Sequence, residues 1–185
     1  MFVLASASPR RQELLRNAGI SFVVQPADVP EVPRKGEPPR SYAERLAREK
    51  AQVIFGQRPR DLVLGADTVV IVDEHILEKP RDSTDAARML RMLSGREHLV
   101  TTGVALVGTG FEDVRSETTL VAVADITDGE ILSYVATGEP MDKAGAYAIQ
   151  GIASRWISRI EGDYCNVVGL PVALVWRMLR EHEAV

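Results

Sequence analysis

The chain has 185 residues, of which 45% are hydrophobic and 26% charged, the make-up of an ordinary globular domain long enough to bury a sizeable core. A net charge of −4 with 5% aromatics argues against a nucleic-acid-coating protein, and no apolar stretch approaches the roughly 20 residues of a membrane helix. The single Cys165 excludes an internal disulfide and suits a reducing cytoplasm, and the start Met1-Phe2-Val3-Leu4 lacks the basic stretch of a signal peptide, so none is expected.

In chain order, the apolar run Phe2 to Ala5 predicts a short buried strand. Ser8 then caps a helix that opens on Pro9 and stops at Gly19. Arg10 and Arg11 fall in its first turn, where the helix dipole favours negative charge. Free N–H groups, the Ser6 and Ser8 hydroxyls and two guanidiniums together suit a phosphate. The alternative is a solvated arginine pair on a surface helix. Pro26 to Pro39 carries five prolines and predicts a loop. A helix follows, with Ser41 and Glu44 as a capping box and an end near Gly56.

Leu62 to Val72 predicts an apolar strand, and Asp73-Glu74 a tight turn into a second strand, His75 to Glu78. Asp82 or Ser83 caps a helix whose apolar face is Ala86, Met89, Leu90 and Leu93, ending at Gly95. Leu99 to Val107 and Thr118 to Ile126 read as a long hairpin around a turn from Gly108 to Arg115. Asp128 caps a short helix to Ala136, and the small-residue loop Lys143 to Gly151 leads to a strand at Trp156 to Ile160. Gly162 to Gly169 reads as a strand and turn, and a last helix starts at Pro171. Strands alternating with helices, with a long hairpin between helical segments, predict a mixed sheet in one α/β domain spanning 1–185.

Three polar residues interrupt apolar patterns. Asp67 sits inside the Leu62 to Val70 run, where an ionised carboxylate must be paired, metal-bound or protonated. It either anchors a neighbouring loop or does chemistry. Counting back from the Asp73-Glu74 turn puts Lys79 opposite Thr68, beside Asp67. Lys50 falls within the helical stripe Ala43, Leu46, Ala47, Val53 and Ile54, as a functional cation or as a lysine snorkelling to water. The segment Met141 to Gly151 adds Lys143 and Gln150 on a Gly/Ala-rich loop. His75, His98 and His182 are too scattered for a metal triad, and neither a Walker motif nor a GxSxG elbow occurs. Arg10, Arg11, Lys50, Lys79 and Lys143 beside Asp67 and Glu31 suit a polyphosphate with Mg²⁺, with Asp67 activating water.

These segments resemble the Maf-like nucleoside triphosphate pyrophosphatases. The resemblance rests on Ser6-Ala7-Ser8-Pro9-Arg10-Arg11, Arg45-Leu46-Ala47-Arg48-Glu49-Lys50-Ala51, Gly65-Ala66-Asp67-Thr68-Val69-Val70, Glu78-Lys79-Pro80, Asp142 to Gly151 and Val168-Gly169-Leu170-Pro171. It implies a mixed α/β fold like that of the inosine triphosphate pyrophosphatases, with two lobes around a cleft. It also implies Mg²⁺- or Mn²⁺-dependent hydrolysis to a nucleoside monophosphate and pyrophosphate. Asp67 would be the proton acceptor and, with Glu31, a metal ligand. Arg10, Arg11, Lys50, Lys79 and Lys143 would lie on the phosphate side, with Ser6 and Ser8 beside them. Arg10, Thr68 and Gln150 match specificity positions of the branch acting on dTTP and UTP, and the retained Arg10-Arg11 pair favours that branch over the one preferring 7-methyl-GTP. The resemblance further implies a homodimer that clears modified pyrimidine nucleotides, while the charge, composition and cysteine usage give the expectation of a cytoplasmic protein that binds neither nucleic acid nor membrane. A nucleotide-binding regulator of septum formation is the alternative from another class.

Overall fold

A computed structural model describes residues 1–184, and its strands join one mixed sheet. The elements in chain order are β1 (Phe2–Leu4), α1 (Pro9–Asn17), β2 (Val23–Val24), α2 (Pro39–Gln57), β3 (Leu62–Val72) and β4 (His75–Leu77). Then come α3 (Ser83–Leu93), β5 (Glu97–Gly108), β6 (Phe111–Val123), α4 (Asp128–Ala136), β7 (Ile157–Glu161), α5 (Tyr164–Val168) and α6 (Val172–Glu181). Strand order is β2-β1-β3-β5-β6-β7, with β4 also paired to β3. β1 runs parallel to β2 and β3, whereas β3/β4 and β6/β7 are antiparallel, so the sheet is mixed as the sequence suggests.

The chain folds as two compact units, each with its own core. The first comprises Met1–Thr68, Thr102–Glu117 and the stretch from Gly169 onward. Successive side chains of its strands point to opposite faces, and each face finds a helix layer. Leu4, Leu64, Val104 and Leu106 pack with Leu15 of α1 and with Leu174, Val175 and Met178 of α6. Val3, Val63, Ala105 and Val107 pack with Ala47, Ala51 and Ile54 of α2. Burying each large aliphatic side chain contributes about 1.5–3 kcal/mol. The second unit comprises Val69–Thr101 and Thr118–Val168, and Val70, Val100, Val121 and Trp156 pack there with α3 and α4.

On the α2 face the approach is unusually close. A Cβ at Gly65 would lie 2.0 Å from the Ala47 carbonyl oxygen and 2.9 Å from the Ala51 nitrogen, so only glycine fits under the helix. Asp67 lies two residues further along β3, on the same face, and Lys50 is one turn from Ala47 on the helix above it.

Several element boundaries differ from the sequence reading. α2 starts at Pro39 with Pro38 as its cap, not at Ser41, because Pro39 suits the first turn and Glu44 turns to Arg40 at 2.9 Å and to the Ser116 hydroxyl at 2.6 Å instead of capping. The Val53 side chain of the expected stripe is exposed, and Tyr42 and Ala51 are buried instead. α4 is capped by Thr127, not Asp128, through a capping box in which the Glu130 amide donates to the Thr127 hydroxyl and the Glu130 carboxylate accepts from the Thr127 amide. Asp128 instead pairs with Arg91 at 2.7 Å. The β5–β6 turn is only Thr109-Gly110: β5 runs from Glu97 to Gly108, and β6 starts at Phe111, well before the expected Thr118, through charged sequence where Asp113 and Arg115 pair with each other at 2.7 Å, and ends at Val123, short of Ile126. β1 stops at Leu4, β7 begins after Trp156, and Tyr164–Val168 is a short helix where a strand and turn were expected.

The tight turn after β3 forms as expected, with Asp73 and Glu74 both at positive φ and Val72 facing His75. The ladder ends at Val70 facing Leu77, so pairing does not extend to the expected match of Lys79 with Thr68. The Gly145 amide donates to the Glu78 carbonyl at 3.1 Å, which draws the chain after β4 onto the Lys143 loop.

Candidate active site

The close seating of α2 brings Lys50 to Asp67. Their Nζ and Oδ1 atoms are 2.6 Å apart, and both residues are buried, at 7% and 8% exposure. The same ammonium meets Glu31 Oε1 at 2.6 Å, so two carboxylates converge on one cation. Lys50 is therefore not a snorkelling lysine. Burial pushes the Asp67 carboxyl up from the ordinary aspartate value, and the charges of Lys50 and Arg11 hold part of that rise back. Among the described residues Asp67 Oδ2 has no hydrogen-bond partner, which leaves a basic oxygen next to a fixed one.

Glu31 reaches the pair from the proline-rich loop, and that loop is held to α2 by Arg45. The Arg45 guanidinium donates to both Glu37 carboxylate oxygens at 2.6 and 2.7 Å, to the Val32 carbonyl at 3.0 Å and to Glu49 at 3.1 Å. This bidentate, buried contact draws the Glu37 carboxyl down to about 2.

Ser8 caps α1, its hydroxyl accepting from the Arg11 amide, and Ser6 Oγ accepts from the Ser8 amide at 3.2 Å. Arg11 folds back onto the middle of β3. Its Nε donates to the Gly169 carbonyl at 2.8 Å, Nη1 to the Ala66 carbonyl at 2.9 Å and to Ser6 Oγ at 3.2 Å, and Nη2 to Thr68 Oγ1 at 3.1 Å. One guanidinium thus fastens the loop after β1, the middle of β3 and the entry to α6. Burial pulls the Arg11 pKa down, while Asp67 opposes that shift. Thr68 Oγ1 also lies 2.9 Å from Thr102 Oγ1 of β5. Arg10 is partly buried in the first turn of α1, close enough for its charge to act on Arg11.

The remaining expected residues lie in the second unit. Lys79 is exposed just past β4. Lys143 donates to the Glu139 carbonyl at 2.6 Å and pairs with Asp142. Gln150 is exposed on the loop between two short 3₁₀ turns, Ala144–Ala146 and Ile152–Trp156. The first unit thus carries Ser6, Ser8, Arg10, Arg11, Glu31, Lys50, Asp67 and Thr68, while Lys79, Lys143 and Gln150 belong to the second. Thr102, the Gly169 carbonyl and Arg45 are partners that sequence reading does not single out, although Arg45 and Gly169 lie inside motifs that carry the resemblance.

For a divalent ion the donor chemistry is apt. Glu31 and Asp67 are oxygen donors that already share one cation, and Mg²⁺ is commonly held by one or two carboxylates, with phosphate oxygens and water completing its shell. Among the described residues no group of three or more His, Cys, Asp and Glu is placed to hold a metal.

Fold and site together define an α/β protein with a buried acid–base pair set on its sheet. The chain belongs to the Maf family, matching the description "Maf-like protein" over residues 1–182. It is 62% identical over 178 residues, 96% of this chain and 92% of the relative, to a protein of Koribacter versatilis (strain Ellin345) named dTTP/UTP pyrophosphatase. A Symbiobacterium thermophilum protein of the same name is 51% identical over 179 residues, 97% of this chain and 92% of the relative. Among solved structures, a nucleoside-triphosphatase / dITP/XTP pyrophosphatase from Mycobacterium abscessus aligns with TM-score 0.45 and 21% identity over 68% of this chain and 75% of that one.

Proposed function

We propose that this protein hydrolyses dTTP and UTP to the nucleoside monophosphate and pyrophosphate, with Asp67 as the proton acceptor. Support comes from relatives named for that activity at up to 62% identity across nearly their whole length. The observation that carries the chemistry is the Lys50–Asp67 contact at 2.6 Å, a buried carboxylate of raised basicity whose orientation is fixed through one oxygen.

In this reading Asp67 Oδ2 takes a proton from the attacking water as its oxygen bonds to the α-phosphorus and the bond to the pyrophosphate oxygen breaks. Lys50 holds Asp67 Oδ1 and so aims the base. Arg10, Arg11, Lys79 and Lys143 neutralise the triphosphate, and the Ser6 and Ser8 hydroxyls line the loop that meets it. Arg10, Thr68 and Gln150 select the base. Glu31 and Asp67 would hold Mg²⁺ or Mn²⁺, which when bound supplies charge neutralisation at the phosphates and a more acidic water. The same reading makes the protein a homodimer that also clears modified pyrimidine triphosphates, supported by the resemblance alone, and a cytoplasmic one, supported by its single cysteine.

Pyrophosphate release from a panel of nucleoside triphosphates with Mg²⁺ and with Mn²⁺ tests the assignment. Turnover of dTTP and UTP above the rest is the expected result. Release from 7-methyl-GTP alone, or from no nucleotide, overturns it.

A further inference from the structure

In the second unit, one acidic residue that the proposed reaction does not use organises the loop carrying Gln150. Glu139 Oε1 accepts the Tyr134 hydroxyl at 2.8 Å and the Ile152 amide at 3.1 Å, and Oε2 lies 3.3 Å from the same amide. The Tyr134 oxygen in turn accepts the Ala148 amide at 3.3 Å. Tyr134 is itself buried, 1% exposed and set edge-to-face on Trp156 with ring centroids 5.3 Å apart. A Cβ at Gly151 would lie 2.3–2.8 Å from the Glu139 carboxylate, so glycine lets the backbone settle onto that group. The chain is therefore pinned two residues before and two residues after Gln150, and the exposed Gln150 side chain projects from between the pins.

We propose that Glu139, acting through Tyr134 and the backbone of residues 148–152, is the positioning residue that fixes Gln150 for discrimination of the pyrimidine base. The proposal rests on Gln150 touching the base, as in the function above. The physical ground is reach. Thymine and uracil present a carbonyl acceptor beside an N–H donor, whereas cytosine presents an amino donor beside a ring acceptor. The Gln150 amide carries both a donor and an acceptor, and it engages a base edge in register only from a held Cα, since a backbone shift of about 1 Å takes its polar atoms out of hydrogen-bond reach.

The test is kcat and KM for dTTP and dCTP in the full-length protein and in Gln150→Ala, Glu139→Ala, Glu139→Gln, Tyr134→Phe and the Glu139→Ala/Gln150→Ala double variant. Gln150→Ala is expected to cut the dTTP-over-dCTP preference in kcat/KM by about tenfold or more. Glu139→Ala should cut it by a similar factor, mainly through KM for dTTP, with kcat within about threefold of the parent. Glu139→Gln keeps an acceptor oxygen for Tyr134 and Ile152 and should restore most of the preference. The double variant should discriminate no worse than Gln150→Ala alone. Tyr134→Phe removes one hydroxyl and keeps the ring, so it reports in the same direction even where Glu139→Ala does not fold. A preference moved by Gln150→Ala but unmoved by Glu139→Ala and Tyr134→Phe overturns the proposal while leaving the role of Gln150 intact, as does an equal loss of activity on both nucleotides. A preference unmoved by Gln150→Ala overturns the reading of Gln150, and the proposal with it.

Discussion

Asp67 and Lys50 form a pair whose members need each other, since either left alone would be a buried, uncompensated charge. Lys50→Met is expected to lower unfolding free energy by about 3–5 kcal/mol, measured by urea denaturation. The pair also sets a pH profile. Burial holds the folded Asp67 carboxyl above its ordinary 3.8, so the acid limb of kcat/KM should fall at a pH above that value. Lys50 lowers the Asp67 pKa, so its removal should move that limb further up; a downward shift would contradict the pairing. Arg11 is a different kind of residue. Four hydrogen bonds to Ser6, Ala66, Thr68 and Gly169 engage its guanidinium, and a lysine ammonium does not reproduce that planar fork. Arg11→Lys should therefore reduce stability by more than about 2 kcal/mol as well as reducing turnover.

At the level of elements, α2 and the proline-rich loop place the carboxylates. Gly65→Ala would drive a methyl into the Ala47 carbonyl, lift α2 from β3 and separate Lys50 from Asp67. A loss of about 1–3 kcal/mol or more is expected, with activity falling further than stability alone explains. The Arg45–Glu37 contact holds the loop that carries Glu31. Glu37 titrates near 2 in the fold against 4.5 ordinarily, so its stabilising contribution is full above pH 4.5 and disappears as pH falls toward 2. Acid denaturation of Glu37→Gln should lack that component. Strand and helix identities were legible where hydrophobic period and caps agreed, as in β1, α1, β3 and α3. They were obscured where charged residues continue a strand, because Asp113 and Arg115 of β6 hide strand character that their mutual pairing permits. The cap of α4 fell one residue off because Thr127 and Asp128, both good capping residues, stand side by side. Lys50 stood out in the sequence as a charge in an apolar stripe, and Asp67 as a charge in an apolar strand. Their pairing with each other did not, because it depends on how closely α2 sits on Gly65.

For the molecule as a whole, two units with separate cores divide the expected site residues between them. The second core holds His98, hydrogen-bonded to Tyr147 at 2.8 Å and pushed by burial down to about 4 from 6.5. A buried neutral histidine supports the fold fully above pH 6.5 and loses that support as pH falls toward 4. His98→Gln should therefore flatten the pH dependence of the thermal midpoint in that window. The family-level motifs were legible because each is a contiguous run. The braces behind them, Thr102 on Thr68 and Glu139 on the Gln150 loop, join residues far apart or of unremarkable type, and no local pattern announces them. Pyrophosphate release from dTTP and UTP by the parent protein and by Asp67→Asn, each shown to be folded by its melting transition, is the most direct measurement. Release by the parent, reduced by about 10²–10⁴ in Asp67→Asn, is expected from a general base at this position. Undiminished release by folded Asp67→Asn would contradict it.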